Sequence, residues 1–469
     1  MARSLTTKPS TRPRKGRLGG PEAKDIRTYR SAIGYLNALV NHERMPNVTY
    51  SSNYFNLTRT TRLLGLLGNP HKGLRCVHVA GTKGKGSTSV MLSSMLTSCG
   101  YKVGLYTSPH MIDIRERISI NGQMIRESEL TKLIIKVAMA ATKLKQNEPT
   151  YFEVLTAAAF LYFAEREVGI AIIETGLGGR LDSTNVVKPE VCAITSISRD
   201  HMSVLGESLP EIAFEKAGIF KAGVPIVSAP QPPAVKEVLQ KAAEHTNSRL
   251  QFTGEDIHFS YRFESSRTMG PHTRICVTTP TAKFEHLHVP LLGDHQAVNC
   301  SVALGCMSAL KERGFDIDEQ KAIEGLSKVK LPGRMELVSE TPRVMVDGAH
   351  NAASIEALMR AIGQNIPYDS MVVIFGCKSE KDIAGMLRHL QLGADKLIFT
   401  EAGPVRSADP QDLLAAYSDM CGKMAQVAPK LPDALEIAYR AVGSEDLICI
   451  CGSFQLVGRA KRLFSARNN

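Results

Sequence analysis

Short apolar runs alternate with segments of helical periodicity from about residue 74 onwards, and this alternation is typical of a parallel α/β sheet. The apolar runs predict strands at residues 74–80, 102–106, 169–175, 191–196 and 225–228, and a helix is predicted at residues 87–99. Each predicted strand ends in polar residues or glycine, and ligands of doubly wound sheets bind at the carboxyl ends of the strands. The pattern therefore predicts a ligand site along one edge of this sheet.

The last third of the chain repeats the alternation after a stretch of different character. Residues 250–290 mix Thr, His and Arg into short alternating runs, which indicates antiparallel strands or an irregular insertion. A helix is predicted at residues 296–313, and Leu-Pro-Gly-Arg at 331–334 interrupts the pattern. The following part is predicted to contain strands at residues 344–346, 371–375, 396–400 and 447–450, and helices at 352–362 and near Ile383, Leu413 and Ala434. We expect it to form a smaller, Rossmann-like α/β domain.

Much of the basic charge lies at the N-terminus. The 469 residues include 57 Lys and Arg and 46 Asp and Glu, for a net charge of +11, and residues 1–30 alone hold nine basic and two acidic side chains. We expect residues 1–30 to be a basic, disordered arm; an organelle transit peptide, for a mitochondrion or plastid, and an RNA-binding arm are the alternatives. The surplus of four charges on the other residues is too small to indicate a nucleic-acid surface.

Composition places the chain among soluble globular proteins. Hydrophobic residues make up 43% and charged residues 22%, unlike the composition of a disordered chain. Apolar stretches such as residues 157–164 are far shorter than the roughly 20 residues that cross a bilayer, and no apolar secretion signal is present. The ten cysteines are scattered without a CxxC pair, so we expect reduced thiols and a cytoplasmic location.

The strongest local motif is the segment Gly-Thr-Lys-Gly-Lys-Gly-Ser-Thr at 81–88, which lies between a predicted strand and a predicted helix. Such a loop directs backbone N–H groups and a helix N-terminus at phosphate, while Lys85 would neutralise phosphate oxygens and a hydroxyl would bind Mg²⁺. Its spacing differs from GxxxxGK[ST], and a plain glycine-rich turn is the alternative. We predict a large P-loop-type ATPase domain with a parallel sheet at residues 31–330, followed by the smaller α/β domain at residues 335–469.

Acidic residues at the ends of two predicted strands are further candidates. Glu174 ends an apolar strand, where an acid of a phosphate-binding domain usually meets Mg²⁺; the alternative is a structural carboxylate that caps a helix. The glycines after it, with Arg180, would let a second ligand approach the backbone. Asp347 follows another strand, directly before His350 and Asn351, although Asp347 could be a turn residue and Asn351 a helix cap.

A lysine occupies an unusual position on the helix that begins at the capping box Ser-Leu-Pro-Glu, residues 208–211, and ends at Gly218. Lys216 lies one turn beyond apolar residues of that helix, where a lysine must extend to solvent, find a partner or lose its proton. A neutral buried amine can react with CO₂ and form an anionic carbamate. Together with Glu174 and His201, this carbamate could then build a second metal site.

These motifs together resemble the folylpolyglutamate synthase and dihydrofolate synthase family of the Mur ligase superfamily, from about residue 34 to the C-terminus. The matching segments are HVAGTKGKGST (78–88), YTSPHMIDIRERI (106–118), TYFEVLTAAAF (150–160), ETGLGGRLDSTN (174–185), DHMSVLG (200–206), IAFEKAGIFK (212–221), GDHQAVN (293–299), LPGRME (331–336), DGAHN (347–351) and CGSFQLVG (451–458). Two positions depart from the family pattern: Lys83 replaces an Asn that is common there, and Gln455 replaces an aromatic residue.

The resemblance implies roles for particular residues. It implies ATP contacts from Gly81, Thr82, Lys83, Gly84, Lys85, Gly86, Ser87, Thr88, Asn299, Arg334 and Asp347. Two Mg²⁺ sites are implied, the first with Ser87 and Glu174 and the second with Glu174, His201 and carbamylated Lys216. The implied substrate contacts are Ser108, Pro109, His110, Arg180, Asp182, His350 and Ser453. Lys85, Lys216 and His350 are the implied catalytic residues.

The implied activity is ATP-dependent ligation of L-glutamate to dihydropteroate, to the γ-carboxylate of reduced folates, or to both, through an acyl phosphate. The resemblance also implies a monomer that acts on small molecules, without nucleic-acid or membrane partners. A Mur-type peptidoglycan ligase is one alternative, but it would need a uridine-nucleotide-binding domain ahead of the glycine loop, which only about 80 residues precede. A catalytically silent scaffold or RNA-binding protein is the alternative of another class.

Overall fold

The strands of the protein form three sheets in the computed structural model, which describes residues 22–42, 55, 57–144, 148–266, 270–279 and 282–467. The strands are β1 (Cys76–Ala80), β2 (Val103–Tyr106), β3 (Ile118–Ile120), β4 (Gln123–Met124), β5 (Ile170–Glu174), β6 (Val191–Ile194), β7 (Ile226–Ser228), β8 (Leu250–Phe252), β9 (His258–Ser266), β10 (Gly270–Thr278), β11 (Lys283–Val289), β12 (Glu336–Glu340), β13 (Arg343–Val346), β14 (Met371–Phe375), β15 (Lys396–Phe399), β16 (Gln426–Val427) and β17 (Leu447–Cys451).

Helices connect these strands and cover the sheets. The α-helices are α1 (Tyr29–Ala38), α2 (Leu57–Leu66), α3 (Lys85–Ser98), α4 (Glu127–Ala141), α5 (Tyr151–Glu165), α6 (Met202–Leu205), α7 (Leu209–Ala217), α8 (Pro233–His245), α9 (Asp294–Glu312), α10 (Glu319–Ser327), α11 (Ala352–Asn365), α12 (Ile383–Gly393), α13 (Pro410–Cys421), α14 (Leu431–Arg440) and α15 (Phe454–Arg467).

The largest sheet has eight strands in the order β4-β3-β2-β5-β1-β6-β7-β8. Six neighbouring strands of this sheet run parallel: β2, β5, β1, β6, β7 and β8. Strands β3 and β4 extend the sheet beyond β2 in antiparallel fashion. Helices α3, α9 and α10 share a buried apolar cluster with one face of this sheet, and α1, α4 and α5 share another cluster with it. Because both faces are covered, the central strands are continuous apolar runs, as the sequence indicated.

A separate sheet of three antiparallel strands, in the order β11-β10-β9, is formed by residues 258–289. Of the two alternatives predicted for 250–290, antiparallel strands are present at 258–289, whereas 250–252 form the parallel strand β8 of the largest sheet. Ile275 of β10 and Leu287 of β11 are buried in the same cluster as α9, so one face of this small sheet packs on the larger domain. Its other face carries polar side chains.

The last sheet has six strands in the order β12-β13-β17-β14-β15-β16, all parallel except β12. Apolar clusters lie on both of its faces, one with α11, α12 and α13 and one with α14 and α15. The predicted fold class is confirmed: a large α/β domain with a mainly parallel sheet precedes a smaller Rossmann-like α/β domain.

The predicted arm at residues 1–30 extends too far along the chain. Ala23 and Ile26 are buried in the apolar cluster of α1 and α4, and the Tyr29 hydroxyl donates a hydrogen bond of 3.0 Å to Asp113. Residues 22–30 therefore belong to the larger domain, to whose core they contribute apolar side chains. The sequence did not indicate this because polar residues surround Ala23 and Ile26. Residues 1–21 lie outside the described part of the chain.

Two further expectations bear on the environment of the chain. All ten cysteines are free thiols, and seven of them are buried. Within the described residues, the structure contains no helix with the length and apolar character needed to cross a membrane.

Packing of residues 22–30 makes a test possible. Ile26→Ala removes a fully buried side chain, and we expect it to lower the free energy of unfolding of the larger domain by about 2–4 kcal/mol. Chemical denaturation measures this change. Val40→Ala, at an exposed position, is the matched control and should cost little. Equal stability of wild type and Ile26→Ala would indicate that this segment is detached from the core.

Candidate active site

The glycine loop after β1 is shaped by close contacts that only glycine permits. Gly81 and Gly84 have φ angles of +148° and +87°, in the region that L side chains rarely adopt. A Cβ atom at Gly81 would collide with the side chain of Thr195, and one at Gly84 would collide with the side chain of Asn299. The loop therefore lies directly against the end of β6 and against α9, and Gly84 caps the N-terminus of α3.

Backbone hydrogen bonds tie this loop to the segment that follows β6. The N–H groups of Thr82 and Lys83 both donate to the carbonyl oxygen of Ser196, at 3.0 and 3.2 Å. The Thr82 hydroxyl also donates to the carbonyl of Ser198 at 3.1 Å. Strands β1 and β6 are parallel neighbours, so their carboxyl ends bring these two segments together.

Two lysines converge on one carbonyl group of the loop. The Nζ atoms of Lys85 and Lys216 donate to the Gly81 oxygen at 3.2 and 2.8 Å. Lys216 is only 3% exposed, so the alternative in which it extends to solvent is wrong. Burial lowers its pKa to about 7, and the charge of Lys85 acts in the same direction.

Glu174, at the end of β5, lies within electrostatic range of Lys85. Its carboxylate is buried, its Oε2 atom lies beside Gly86 in the first turn of α3, and it accepts a 3.3 Å hydrogen bond from the Ser108 N–H. Burial raises its pKa to about 7, against the opposing influence of Lys85, Arg334 and other cations. Glu174 is therefore an enclosed carboxylic acid, and the positive charges near it favour its ionised form.

His201 lies in the segment after β6, at the same edge of the sheet. Its φ angle is +51°, and its N–H donates to the Asp200 carboxylate at 2.9 Å. The residue is exposed as a whole, but protein atoms surround the imidazole closely enough to disfavour an imidazolium. Its pKa is lowered to about 4 by this burial, with Lys381 and Lys216 acting in the same direction and Asp200 opposing them.

The smaller domain contributes a second group of residues from the carboxyl ends of its central strands β13, β17 and β14. After β13, the two carboxylate oxygens of Asp347 accept hydrogen bonds from the N–H groups of Met335 and Ala349, at 2.9 and 2.7 Å. The guanidinium of Arg334 lies 4.6 Å from the centre of the Phe454 ring, which follows β17. These contacts fix Asp347 and Arg334 at one edge of the sheet.

His350 is held as a neutral imidazole. Its Nδ1 atom lies 2.8 Å from the Gly348 carbonyl oxygen, which can only accept a hydrogen bond, so Nδ1 carries the proton and Nε2 keeps its lone pair. Burial lowers its pKa to about 4, helped by the charge of Lys381 and opposed by Asp200. The side chain is therefore equipped to accept a proton at Nε2.

An ion pair joins the two domains at this point. The Lys381 Nζ atom, after β14, lies 3.0 Å from the Asp200 carboxylate, and the Asn351 amide lies 3.5 Å from the other oxygen of Asp200. The side chains of Lys381 and Asp200 are only 16% and 11% exposed. The carboxyl edges of the two sheets thus face each other across one cleft.

Comparisons with known proteins agree with this arrangement. The Mur ligase middle domain family matches residues 79–307, and the Mur ligase glutamate ligase domain family matches residues 333–454. A dihydrofolate synthase/folylpolyglutamate synthase of Bacillus subtilis (strain 168) is 37% identical over 411 residues, which make up 87% of this chain and 94% of that protein. The chain belongs to the dihydrofolate synthase/folylpolyglutamate synthase family.

Solved structures of this family share the fold. Escherichia coli FolC in complex with DHPP and ADP is 29% identical, with a TM-score of 0.83 and coverage of 96% of this chain and 100% of that one. Mycobacterium tuberculosis folylpolyglutamate synthase, complexed with ADP and AMPPCP, is 31% identical, with a TM-score of 0.82 and coverage of 87% and 95%. The resemblance inferred from the motifs is thereby confirmed.

Most of the residues predicted for a dihydrofolate synthase/folylpolyglutamate synthase site lie around this cleft. Residues 81–88, Glu174, His201, Lys216 and Asn299 come from the larger domain, and Arg334, Asp347 and His350 come from the smaller one. Ser108 reaches the site through its hydrogen bond to Glu174, and Ser453 is buried directly after β17. Their roles towards ligands remain predictions.

Asp182 and Arg180 have other partners than a substrate. Asp182 is buried and accepts hydrogen bonds from the N–H groups of Gly176, Leu177 and Thr184, so its carboxylate builds the loop itself. Arg180 forms an ion pair with Glu215 through two hydrogen bonds of 3.0 and 2.8 Å. These internal partners position both side chains, and the predicted substrate contacts of Asp182 and Arg180 stay predictions.

The TSPH segment is supported by an arginine that the sequence analysis did not single out. Arg117 is almost fully buried, and its Nε donates to the Nδ1 atom of His110 at 2.9 Å, while Pro109 is exposed. The sequence analysis also did not identify Lys381 as a residue of the cleft. The same rule that identified Asp347, a polar residue after a buried strand, could have indicated Lys381, which follows β14 by six residues.

The larger domain offers suitable ligands for the Mg²⁺ ions that this family implies. Ser87 and Glu174 supply a hydroxyl and a carboxylate, and oxygen ligands of this kind suit Mg²⁺. Ser87 lies in the first turn of α3, and Glu174 borders that turn at Gly86. Neutral His201 offers a lone pair, and a carbamate on Lys216, which lies within electrostatic range of His201, would add a negative charge. The residues present therefore fit divalent cations.

The ion pair between the domains leads to a prediction. Lys381→Met leaves the mostly buried Asp200 carboxylate without its cation. Removing one partner of a fully buried ion pair lowers stability by several kcal/mol, and the effect is smaller here because both side chains are partly exposed. We expect the two domains to separate more often and the radius of gyration, measured by small-angle X-ray scattering, to increase.

Lys396→Met provides the matched control, since Lys396 is exposed at the opposite end of the same sheet. Lys381→Arg should restore the compact form. Identical scattering of wild type and Lys381→Met would show that this ion pair does not hold the domains together.

Proposed function

We propose that this protein is an ATP-dependent ligase that joins L-glutamate to dihydropteroate, to the γ-carboxylate of reduced folates, or to both. The observation that carries this proposal is the pair of lysines on the Gly81 carbonyl, one of which, Lys85, lies near the buried Glu174, at a cleft between two mainly parallel sheets. The names of the relatives support it: the Bacillus subtilis protein is named for both activities, and the Escherichia coli structure holds ADP.

ATP phosphates fit the glycine loop in the proposed mechanism. The free N–H groups at the N-terminus of α3 and the Lys85 ammonium attract phosphate oxygens, while Asn299, Arg334 and Asp347 are proposed to contact the rest of the nucleotide. A carboxylate of the pterin substrate attacks the γ-phosphorus in line, ADP leaves, and an acyl phosphate results. Mg²⁺ ions held by Ser87, Glu174, His201 and carbamylated Lys216 would neutralise the charge on the transferring phosphoryl group.

The acyl phosphate then reacts with the amino group of glutamate. The amine attacks the acyl carbon, the tetrahedral intermediate expels inorganic phosphate, and an amide remains. Because water would hydrolyse the acyl phosphate, the facing edges of the two domains must exclude solvent, and the Lys381–Asp200 pair favours that closed form. His350 offers its Nε2 lone pair to orient glutamate or to take the proton of the amine. Ser108 and Ser453 are proposed contacts on the pterin and glutamate sides.

Lys216 is proposed to act as a carbamate. Its amine is buried and has a lowered pKa, so burial favours the neutral, nucleophilic form of this side chain. Attack of the neutral amine on CO₂ forms an N–C bond and releases one proton, which converts a neutral side chain into an anion; from the ammonium form, two protons are released. The product carries the oxygen ligands that a second Mg²⁺ requires.

A monomer in the cytoplasm is part of the proposal. The free thiols of the chain support a reducing compartment. The names of the relatives favour neither a peptidoglycan substrate nor RNA.

The activity is tested with purified protein, ATP, Mg²⁺ and L-glutamate, with either dihydropteroate or tetrahydrofolate monoglutamate as acceptor. We expect ADP and the amide product in equal amounts with at least one acceptor, and the ratio of kcat/KM values assigns the main activity. Lys85→Ala is the negative control, because it removes the ammonium that faces the phosphates. If neither acceptor yields product, the ligase proposal fails.

A second prediction concerns the carbamate. With ¹³C-labelled bicarbonate, NMR should detect one carbamate carbon in the wild type and in Lys221→Arg, whose lysine is also partly enclosed. Lys216→Ala should lack this resonance, turn over at least about a hundredfold more slowly, and regain activity with added short carboxylic acids. Full activity of Lys216→Ala, or active wild type without the resonance, would remove the carbamate from the mechanism.

His350 is tested by two replacements. His350→Ala should lower kcat about a hundredfold, in the range that loss of a general base produces. His350→Gln can still form a hydrogen bond but cannot take the proton. If His350 only orients glutamate, this variant should keep its kcat, whereas a role in proton removal should lower kcat with little change in KM. Steady-state rates close to those of wild type in both variants would exclude His350 from the reaction.

A further inference from the structure

Three residues with metal-binding side chains lie on one face of the three-stranded sheet, outside the cleft. Glu264 of β9 pairs directly with His272 of β10. His288 of β11 pairs with Arg274, two residues further along β10, so it lies diagonally next to His272. Because side chains alternate between the faces of a strand, these three point to the same side of the sheet, opposite to the buried Ile275.

Their potential ligand atoms are close together. One nitrogen of each histidine and one carboxylate oxygen of Glu264 all lie within 4.8 Å of one another. The Nε2 atom of His272 is 3.7 Å from Oε2 of Glu264, and the two imidazole rings are 5.1 Å apart, centre to centre. Bonds of about 2.0–2.2 Å in a tetrahedral zinc site place its ligands roughly 3.3–3.6 Å apart. Small side-chain rotations would therefore complete the geometry.

The carboxylate of Glu264 is already oriented for this role. Its Oε1 atom accepts hydrogen bonds from Arg262 and Arg274, while Oε2 faces His272. Burial alone would raise the pKa of Glu264, but the two arginines outweigh it and lower the pKa. Partners of this kind fix the orientation of metal-binding carboxylates in proteins. Their positive charge also weakens cation binding, so the affinity depends on the two imidazoles.

The environment leaves a path for an ion. His272 is buried, Glu264 is partly buried and His288 is exposed, so the cluster is open to solvent on the side of β11. Two imidazoles and one carboxylate select transition metals such as Zn²⁺ over Mg²⁺, which prefers oxygen ligands. No residue assigned to the candidate active site lies on these strands, so this site is separate from the Mg²⁺ ligands.

We propose that Glu264, His272 and His288 bind one divalent transition metal ion, Zn²⁺ in particular, with water as the fourth ligand. The ion would connect the central strand β10 with both edge strands, β9 and β11. Its binding would stabilise the sheet, because a ligand that binds only the folded form shifts the unfolding equilibrium. Since the site lies apart from the cleft, its occupancy is independent of the proposed ligase activity.

The test measures Zn²⁺ binding to the full chain by equilibrium dialysis and by thermal unfolding. All proteins carry His201→Ala, which removes the imidazole assigned to the cleft, and excess Mg²⁺ occupies the remaining oxygen ligands Ser87 and Glu174. We expect this parent protein to bind one Zn²⁺ with an increase in unfolding temperature. His288→Ala and Glu264→Gln should lose that equivalent and the increase. His288 is exposed, so its replacement should leave folding intact even if the buried His272→Ala misfolds.

His258→Ala is the matched control, because His258 lies on the same face of β9, six residues from Glu264. It should bind Zn²⁺ like the parent protein. Co²⁺ should give visible absorption bands of a tetrahedral complex in the parent and not in His288→Ala. If His288→Ala and Glu264→Gln bind as much Zn²⁺ as the parent, or if the parent binds none, the site is excluded. Ligase assays on His288→Ala in the otherwise wild-type chain should be normal.

Discussion

The carbonyl oxygen of Gly81 accepts hydrogen bonds from two lysines, and the arrangement of the cleft depends on this contact. Lys85 arrives from the first turn of α3, whereas Lys216 arrives from α7, more than a hundred residues later in the chain. Burial and the repulsion between two ammonium groups so close together lower the pKa of Lys216. Glu174 supplies one negative charge, and the phosphates of ATP and a carbamate on Lys216 would supply the others. The loop therefore combines a rigid backbone with a positive charge that the proposed ligands neutralise.

The topology of the sheets explains why these residues meet. Strands β5, β1 and β6 are parallel neighbours, so Glu174, the glycine loop and His201 emerge at one edge. Strands β13, β17 and β14 do the same in the smaller domain, where they present Asp347, Ser453 and Lys381. The Lys381–Asp200 ion pair connects the two edges. A reaction that needs phosphoryl transfer and exclusion of water can use such a cleft, because closure assembles both halves of the site.

Much of this could be predicted from the sequence, because buried parallel strands and glycine loops leave local patterns. The position of Lys216 on an apolar helix face predicted an unusual lysine, and the structure shows it buried. Contacts between distant segments left no such pattern: the Lys381–Asp200 pair joins residues 181 positions apart. Nor does the sequence reveal that Asp182 accepts a hydrogen bond from Thr184 or that Arg180 pairs with Glu215. Ile26 was assigned to the arm because its basic neighbours dominate the local composition.

Transfer of a phosphoryl group to the carboxylate of the acceptor is the central claim of this account. It is tested most directly by turnover of an acceptor whose carboxylate oxygens are labelled with ¹⁸O, followed by mass spectrometry of the released phosphate. If an acyl phosphate forms and is attacked by the amine, one labelled oxygen leaves with each phosphate while the amide keeps the other. Unlabelled phosphate accompanying the amide product would contradict the account, because ATP would then have been cleaved without activating the carboxylate.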